Sequence, residues 1–148
     1  MNWLLAPFAI LLGAVLTAQV ATNAQLGKAL GNPYIPATVN MAVGLIVTVI
    51  LTWALTSHWP SREMMREAPW YVWPAGGALG VTYLTGNILL APKLGAGALV
   101  ALVVAGQLLF SVLLDHFGWL GFAQHPAGVA RLAGCSLMIV GVFLISKF

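Results

Sequence analysis

Apolar residues form five long runs along the chain, and polar residues interrupt these runs only at wide intervals. A helix needs about 20 predominantly apolar residues to cross the roughly 30 Å hydrocarbon core of a bilayer. All eight prolines fall within about a turn and a half of the ends of these runs, where a missing N–H disturbs a helix least. The pattern therefore predicts five transmembrane helices, near residues 4–26, 35–56, 70–90, 97–117 and 128–147.

The composition assigns the chain to the membrane. Of its 148 residues, 61% are hydrophobic and only 6% are charged, whereas a soluble domain carries about 25% charged residues. The mean hydropathy is +0.97. We therefore expect an all-α integral membrane protein in which residues 1–148 form a single five-helix domain surrounded by the lipid bilayer. The few basic residues are scattered singly, which argues against a nucleic-acid partner.

Positive charge is divided equally between the two sides of the predicted bundle. The side of the N-terminus carries Arg62, Arg66 and Arg131, and the opposite side carries Lys28, Lys93 and Lys147. Because an excess of Lys and Arg on the cytoplasmic side normally sets the orientation of a membrane protein, this balance gives no bias. It predicts a chain that inserts in both orientations and pairs as an antiparallel homodimer of ten helices. A chain with a single orientation, set by another signal, is the alternative.

Each of the first four predicted helices carries one stripe of polar and small residues at helical spacing. Polar side chains in lipid need partners, so we expect the four stripes to face one interior, where amides and a tyrosine can bind a polar solute. The candidate solute-binding residues are Gln19, Asn23, Asn40, Tyr83, Asn87, Gln107 and Ser111. The alternative role of these residues is to hold neighbouring helices together by hydrogen bonds, each worth about 0.6 kcal/mol.

A second polar group, formed by Asp115, His116 and Arg131, flanks the connection between the fourth and fifth predicted helices. Asp115 lies about 12 Å from the centre of its helix, near the membrane interface, where a charge is better tolerated than at the centre. An ion pair between Asp115 and Arg131 that closes this connection is the favoured interpretation. The alternative is a proton-coupling role for Asp115 and His116, since histidine is a common proton-transfer side chain.

Nothing in the sequence has the pattern of a catalytic, cofactor-binding or metal-binding site. It contains no nucleophile–base arrangement, no phosphate-binding loop and no set of residues at metal-ligand spacing. We therefore expect neither an enzyme nor a protein that holds a cofactor or a metal ion.

Three segments resemble a known family of membrane proteins. They are AQVATNAQLGKALGNP at residues 18–33, GGALGVTYLTGNILLAPKLGAG at residues 76–97 and GQLLFSVLLDHFGWLG at residues 106–121. Together they are similar to the five-helix YdcZ-like family of the drug/metabolite transporter superfamily, and the resemblance covers nearly the whole chain. The polar positions that recur in that family are matched here by Gln19, Asn23, Asn87, Gln107, Asp115 and His116.

The resemblance implies a multi-pass protein of the bacterial inner membrane, built as two inverted five-helix halves that move solutes by alternating access. The balanced basic residues are similar to those of the family's single short chains, which are thought to insert in both orientations. The chain departs from the family at Asn40–Met41, where a Ser–Phe-like pair is expected, so the solute preference of relatives does not transfer.

The function that we expect is transport of a small, unidentified solute by alternating access, carried out by a dual-topology antiparallel homodimer. Two alternatives stay open. One is a dual-topology ion channel like the small fluoride channels, and the other is a non-transporting subunit of a membrane assembly.

Overall fold

The computed structural model describes residues 5–56 and 59–147, and these residues form helices joined by short connections without any strand. The helices are α1 (Ala6–Leu30), α2 (Tyr34–Leu55), α3 (Arg62–Glu67), α4 (Val72–Leu94), α5 (Ala96–Phe117) and α6 (Val129–Lys147). A 3-10 turn, Trp119–Gly121, follows α5. The expected all-α class is confirmed for the described part of the chain.

Each of the five predicted spans coincides with one long helix, although some ends differ. The helix α1 continues to Leu30 rather than residue 26, because the first residue that leaves the helical conformation is Gly31, at φ +64. The conformation of Gly31 is left-handed, which glycine adopts at little cost. The helix α4 continues through Pro92 to Leu94 rather than ending at residue 90. Residue 4, where the first predicted span begins, lies outside the described residues.

Four of the helices are long and apolar enough to cross a membrane: α1, α2, α5 and α6. The chain is therefore an integral membrane protein. The helix α4, which corresponds to the third predicted span, has 23 residues and is long enough, but it is not among these four. Its sequence VWPAGGALGVTYLTGNILLAPKL is rich in the small and polar residues that were predicted to line an interior, and these lower its hydropathy. We therefore treat a fifth membrane crossing, by α4, as a proposal.

The described residues form two compact units, and the boundary between them lies at the end of α4, between Lys93 and Leu94. In the first unit, Ala37 of α2 and Leu84 and Ile88 of α4 form a buried apolar cluster. The helix α1 joins this cluster through Gly27, since a Cβ atom built there would lie 3.4 Å from Pro36 Cγ and 3.6 Å from Ile88 Cγ2.

The second unit consists of α5, the connection that follows it, and α6, which packs along α5. Cys135 of α6 is buried. In both units most large apolar side chains are exposed, and every residue of α2 from Met41 to Leu55 is exposed. An apolar surface of this extent suits lipid tails or a second chain rather than water.

We predict that Gly27 tolerates alanine but not leucine. The alanine methyl group makes ordinary van der Waals contact with Pro36 and Ile88, whereas the longer leucine side chain must displace them. Overpacking of this kind costs typically about 1–3 kcal/mol. The measurement is the thermal stability of the purified protein in detergent, with Gly27→Leu expected to melt below both Gly27→Ala and the unaltered protein.

Gly13 supplies the control for this substitution, because it lies on the same helix and a Cβ atom there would meet nothing within 4 Å. Gly13→Leu makes the same change in helix propensity without the steric conflict. Equal melting temperatures for Gly13→Leu and Gly27→Leu would show that the packing of α1 through Gly27 is not as described.

Candidate functional site

Two asparagine amides lie inside the first unit. The relative exposures of Asn23 and Asn87 are 7% and 5%, which makes them the buried polar residues of the described chain. The Nδ2 atom of Asn87 donates to the Tyr83 carbonyl oxygen, one turn earlier, at 2.7 Å. The Nδ2 atom of Asn23 is buried and has no hydrogen-bond partner among the described residues. A buried donor that lacks an acceptor destabilises the state in which it is found, by about 1–3 kcal/mol.

The packing of the first unit brings these two amides into the same region. A Cβ atom built on Gly27, one turn after Asn23 on α1, would lie 3.6 Å from Cγ2 of Ile88, the residue that follows Asn87 on α4. The other predicted residues of this unit are less enclosed: Gln19 and Asn40 are half-buried, and Tyr83 is exposed. The first unit therefore has two buried amides, one on α1 and one on α4, and more open polar positions on α1, α2 and α4.

The two predicted residues of α5 lie on an exposed surface of the second unit. The hydroxyl group of Ser111 is hydrogen-bonded within its own helix, because its Oγ atom donates to the Leu108 carbonyl oxygen at 2.8 Å. The side-chain amide of Gln107 is exposed and makes no hydrogen bond within the part of the chain that the structure describes. The assignment of Gln107 and Ser111 to a solute-binding interior therefore stays a prediction.

An open groove between α2 and α4 was not predicted from the sequence. It has a volume of about 350 Å³, within the usual range for small-molecule sites. Its lining residues are Tyr34, Ala37, Thr38, Met41, Val81 and Thr85. The sequence does contain a signal for it, since the two threonines recur at helical spacing with Tyr34 and Val81, but none of the seven candidate residues lines the groove.

The connection between α5 and α6 folds back on the last turn of α5 and caps it. Gly118, at φ +65, ends the helix, and its N–H donates to the Leu114 carbonyl. The His125 N–H donates to the Asp115 carbonyl at 2.7 Å, and Gln124 Nε2 donates to the His116 carbonyl at 3.0 Å. These three bonds satisfy carbonyls that a helix end otherwise leaves without partners.

Side chains add further bonds to this capped end. Arg131, in the first turn of α6, places its Nη1 atom 3.1 Å from Asp115 Oδ2 in a salt bridge, and the same atom donates to the His125 carbonyl at 3.3 Å. Asp115 and Arg131 are 32% and 43% exposed, so this pair lies at the surface of the unit. His116 Nδ1 accepts a hydrogen bond from the Ala127 N–H at 3.0 Å. The structure therefore brings together all three residues of the second candidate group.

The described residues contain no group of three or more His, Cys, Asp or Glu side chains that could hold a metal ion. The buried Cys135 is a free cysteine.

We predict that Arg131→Gln destabilises the second unit more than Asp115→Asn does. The arginine substitution removes both the salt bridge and the bond to the His125 carbonyl, whereas the aspartate substitution removes the salt bridge alone. Because both side chains are substantially exposed, we expect a coupling energy below about 1 kcal/mol from the double-mutant cycle. The measurement is reversible unfolding of the purified protein in mixed micelles, and the reverse order of the two single substitutions would contradict the geometry.

Comparison with known proteins gives the family. The model of the family described as "Putative inner membrane exporter, YdcZ" matches residues 4–144. The inner membrane protein YdcZ of Escherichia coli (strain K12) is 24% identical over 140 residues, which cover 95% of this chain and 93% of that protein. No solved structure matches the chain.

These matches extend over nearly the whole chain, from before α1 to within α6, and they confirm the resemblance that the sequence motifs carry. The family is described as one of inner membrane exporters and not as an enzyme family, and the location in that description agrees with the long apolar helices of the structure. The chain is a multi-pass inner membrane protein that belongs to the YdcZ family of transporters.

Proposed function

We propose that this protein moves a small polar solute across the inner membrane by alternating access, as an antiparallel homodimer of two five-helix chains. The observation that carries the proposal is the unpartnered amide of Gln107, which is exposed at the middle of the 22-residue helix α5. A lipid tail offers an amide no hydrogen bond. A second chain or a polar cavity must therefore cover this part of α5 in the membrane.

The depth of the polar residues supports an inverted pair. Gln19, Tyr83 and Gln107 each lie at the middle of their own helix, in α1, α4 and α5. A residue at the middle of a span keeps its depth when the chain is turned over in the bilayer. Two inverted copies would therefore present their central polar side chains at the same level, which is where inverted-repeat transporters bind their substrates.

The equal numbers of basic residues support insertion in both orientations. Arginines occupy one side of the proposed five-span arrangement and lysines the other, three on each. In this arrangement α4 is the fifth crossing, since its 23 residues are long enough, and its small and polar residues would face protein rather than lipid in the assembled pair.

The proposed binding residues suit a polar solute without a strict charge requirement. The side chains of Gln19, Asn23, Asn87 and Gln107 supply both hydrogen-bond donors and acceptors, and the buried Nδ2 of Asn23 is a donor that a solute oxygen could satisfy. The carboxylates of the described residues are Glu63, Glu67 and Asp115, and each lies at or beyond a helix end. The proposed central site therefore works without a carboxylate.

We predict that reporters fused to the C-terminus reveal both orientations. A fluorescent reporter that folds only in the cytoplasm and an enzyme active only in the periplasm should both give signal from the same chain. Adding one or two lysines before α1 should shift the population toward a cytoplasmic N-terminus, since it breaks the balance of basic residues. Signal from a single reporter in the unaltered chain would overturn the dual-topology proposal.

We also predict that Gln107→Ala abolishes solute exchange while the protein still folds. Solutes are first chosen by their ability to stabilise the purified protein in a panel of amino acids, sugars and quaternary amines, and then tested by counterflow in liposomes. Gln25→Ala is the matched control, because Gln25 is an exposed amide on α1 outside the candidate set.

The outcomes of this experiment separate the three functions. A carrier shows saturable exchange that Gln107→Ala removes and Gln25→Ala retains. Rapid ion leakage that does not saturate would identify a channel instead. Loss of dimers in Gln107→Ala, without solute exchange in any variant, would identify an assembly subunit.

A further inference from the structure

The hydrogen bond between Ala127 and His116 fixes the protonation state of an imidazole ring. The donor is a backbone N–H, which cannot act as an acceptor, and it lies 3.0 Å from His116 Nδ1. An imidazole nitrogen accepts a hydrogen bond only when it carries no proton. In this structure His116 is therefore neutral, with its proton on Nε2.

We propose that this bond is a proton-operated latch that holds the α5–α6 connection closed on the end of α5. A proton added to His116 must go to Nδ1, which then becomes a second donor that faces the donor of Ala127. The bond is lost, and the Ala127 N–H needs another acceptor. Ala127 lies two residues before α6 begins at Val129, so the release frees the segment that leads directly into α6.

The charged and titratable groups around His116 come from three elements. They are Asp115 on α5, Arg131 on α6 and His125 in the connection. Asp115 and Arg131 form a salt bridge at 3.1 Å and so largely cancel each other's charge near His116. The Asp115 and His116 carbonyls are also held by the connection, through the His125 N–H and Gln124 Nε2. The loss of one bond therefore loosens the end of the connection at Ala127 before the rest.

The second histidine of the connection responds to a proton in the opposite way. His125 Nδ1 lies 2.9 Å from the Ala123 carbonyl oxygen, which can only accept, so this nitrogen is a donor. Addition of a proton to the other nitrogen of His125 leaves this bond intact. The chain thus contains one histidine whose local bond needs the neutral ring and, nine positions later, one whose bond does not.

The experiment is hydrogen exchange of the purified protein between about pH 8 and pH 5, the range in which histidine commonly gains its proton. Rates are followed by mass spectrometry and corrected for the intrinsic pH dependence of exchange with unfolded peptides. We expect roughly tenfold faster corrected exchange of the Ala127 amide at the acid end, the effect of losing its one hydrogen bond. Helix α2 serves as the internal reference and should show no change.

Two variants make the test specific. In His116→Asn the Oδ1 atom can take the place of Nδ1 as an acceptor that does not titrate in this range, so the acid response should disappear while protection at pH 8 is retained. In His125→Asn the acid response should persist. The latch is refuted if the unaltered protein shows no acid response, or if His116→Asn retains it while His125→Asn loses it.

A measurement on the unaltered protein tests the same geometry without a variant. In histidine labelled with ¹⁵N, the Nδ1 of His116 should give the signal of an unprotonated nitrogen at pH 8, and the Nδ1 of His125 that of a protonated one. The opposite tautomer at His116 would overturn the proposal. The latch does not rest on solute transport, so failure of the transport assay and failure of the latch are distinguishable.

Discussion

A polar group within a membrane span must find its partner in protein, because the surrounding lipid tails offer none. Several hydroxyl groups meet this requirement within their own helices. Six of them donate to the carbonyl oxygen four residues earlier, at 2.8–3.0 Å, and they belong to Thr17, Thr22, Thr48, Thr82, Ser136 and Ser146. A hydroxyl group that is hydrogen-bonded within its own helix needs no partner on a neighbouring helix. The amides of Asn23 and Gln107 have no such bond, so they are among the polar groups that require something beyond a single helix.

The same requirement explains why the connection after α5 is folded rather than loose. The last carbonyls of a helix have no partners within it, and here three of them accept bonds from Gly118, Gln124 and His125. Arg131 then ties the connection to α6 through Asp115 and the His125 carbonyl. The end of α5 therefore has its polar groups satisfied by the chain itself, in a region where water is at most partly available.

The sequence predicts the helices well because the apolar core of the bilayer requires apolar residues and its thickness sets the helix length. Both requirements are independent of how the helices pack. The pairing of Asp115 with Arg131 could also be foreseen, since charges are rare in this chain and these two lie at either end of one short connection. The lower hydropathy of α4 can also be recognised in the sequence. Its small and polar residues predict a stripe that faces an interior, and the same residues make α4 less apolar than the other long helices.

Other features depend on contacts between helices that the residue pattern does not predict. The burial of Asn23 and Asn87, with Gln19 and Asn40 only half-buried, follows from the packing of α1 on α2 and from the Ile88 side chain, which reaches from α4 toward Gly27. The bond between Ala127 and His116 could not be predicted from the sequence. Its donor is a backbone N–H, which every residue except proline possesses, so no residue type marks it. The groove beside Thr38 and Thr85 is likewise a property of the helix positions, since neither threonine is unusual in an apolar helix.

The two proposals have a joint consequence if the copies are inverted. The α5–α6 connection of one copy then faces one side of the membrane, and the connection of its partner faces the other. A proton that reaches His116 from one side of the membrane would then open the latch of one copy and leave that of its partner closed. Two chains of identical sequence would therefore differ in the freedom of α6, and this difference would reverse when the proton arrives from the other side. Because the symmetry of an antiparallel homodimer supplies no direction, such a device would make its two sides respond differently.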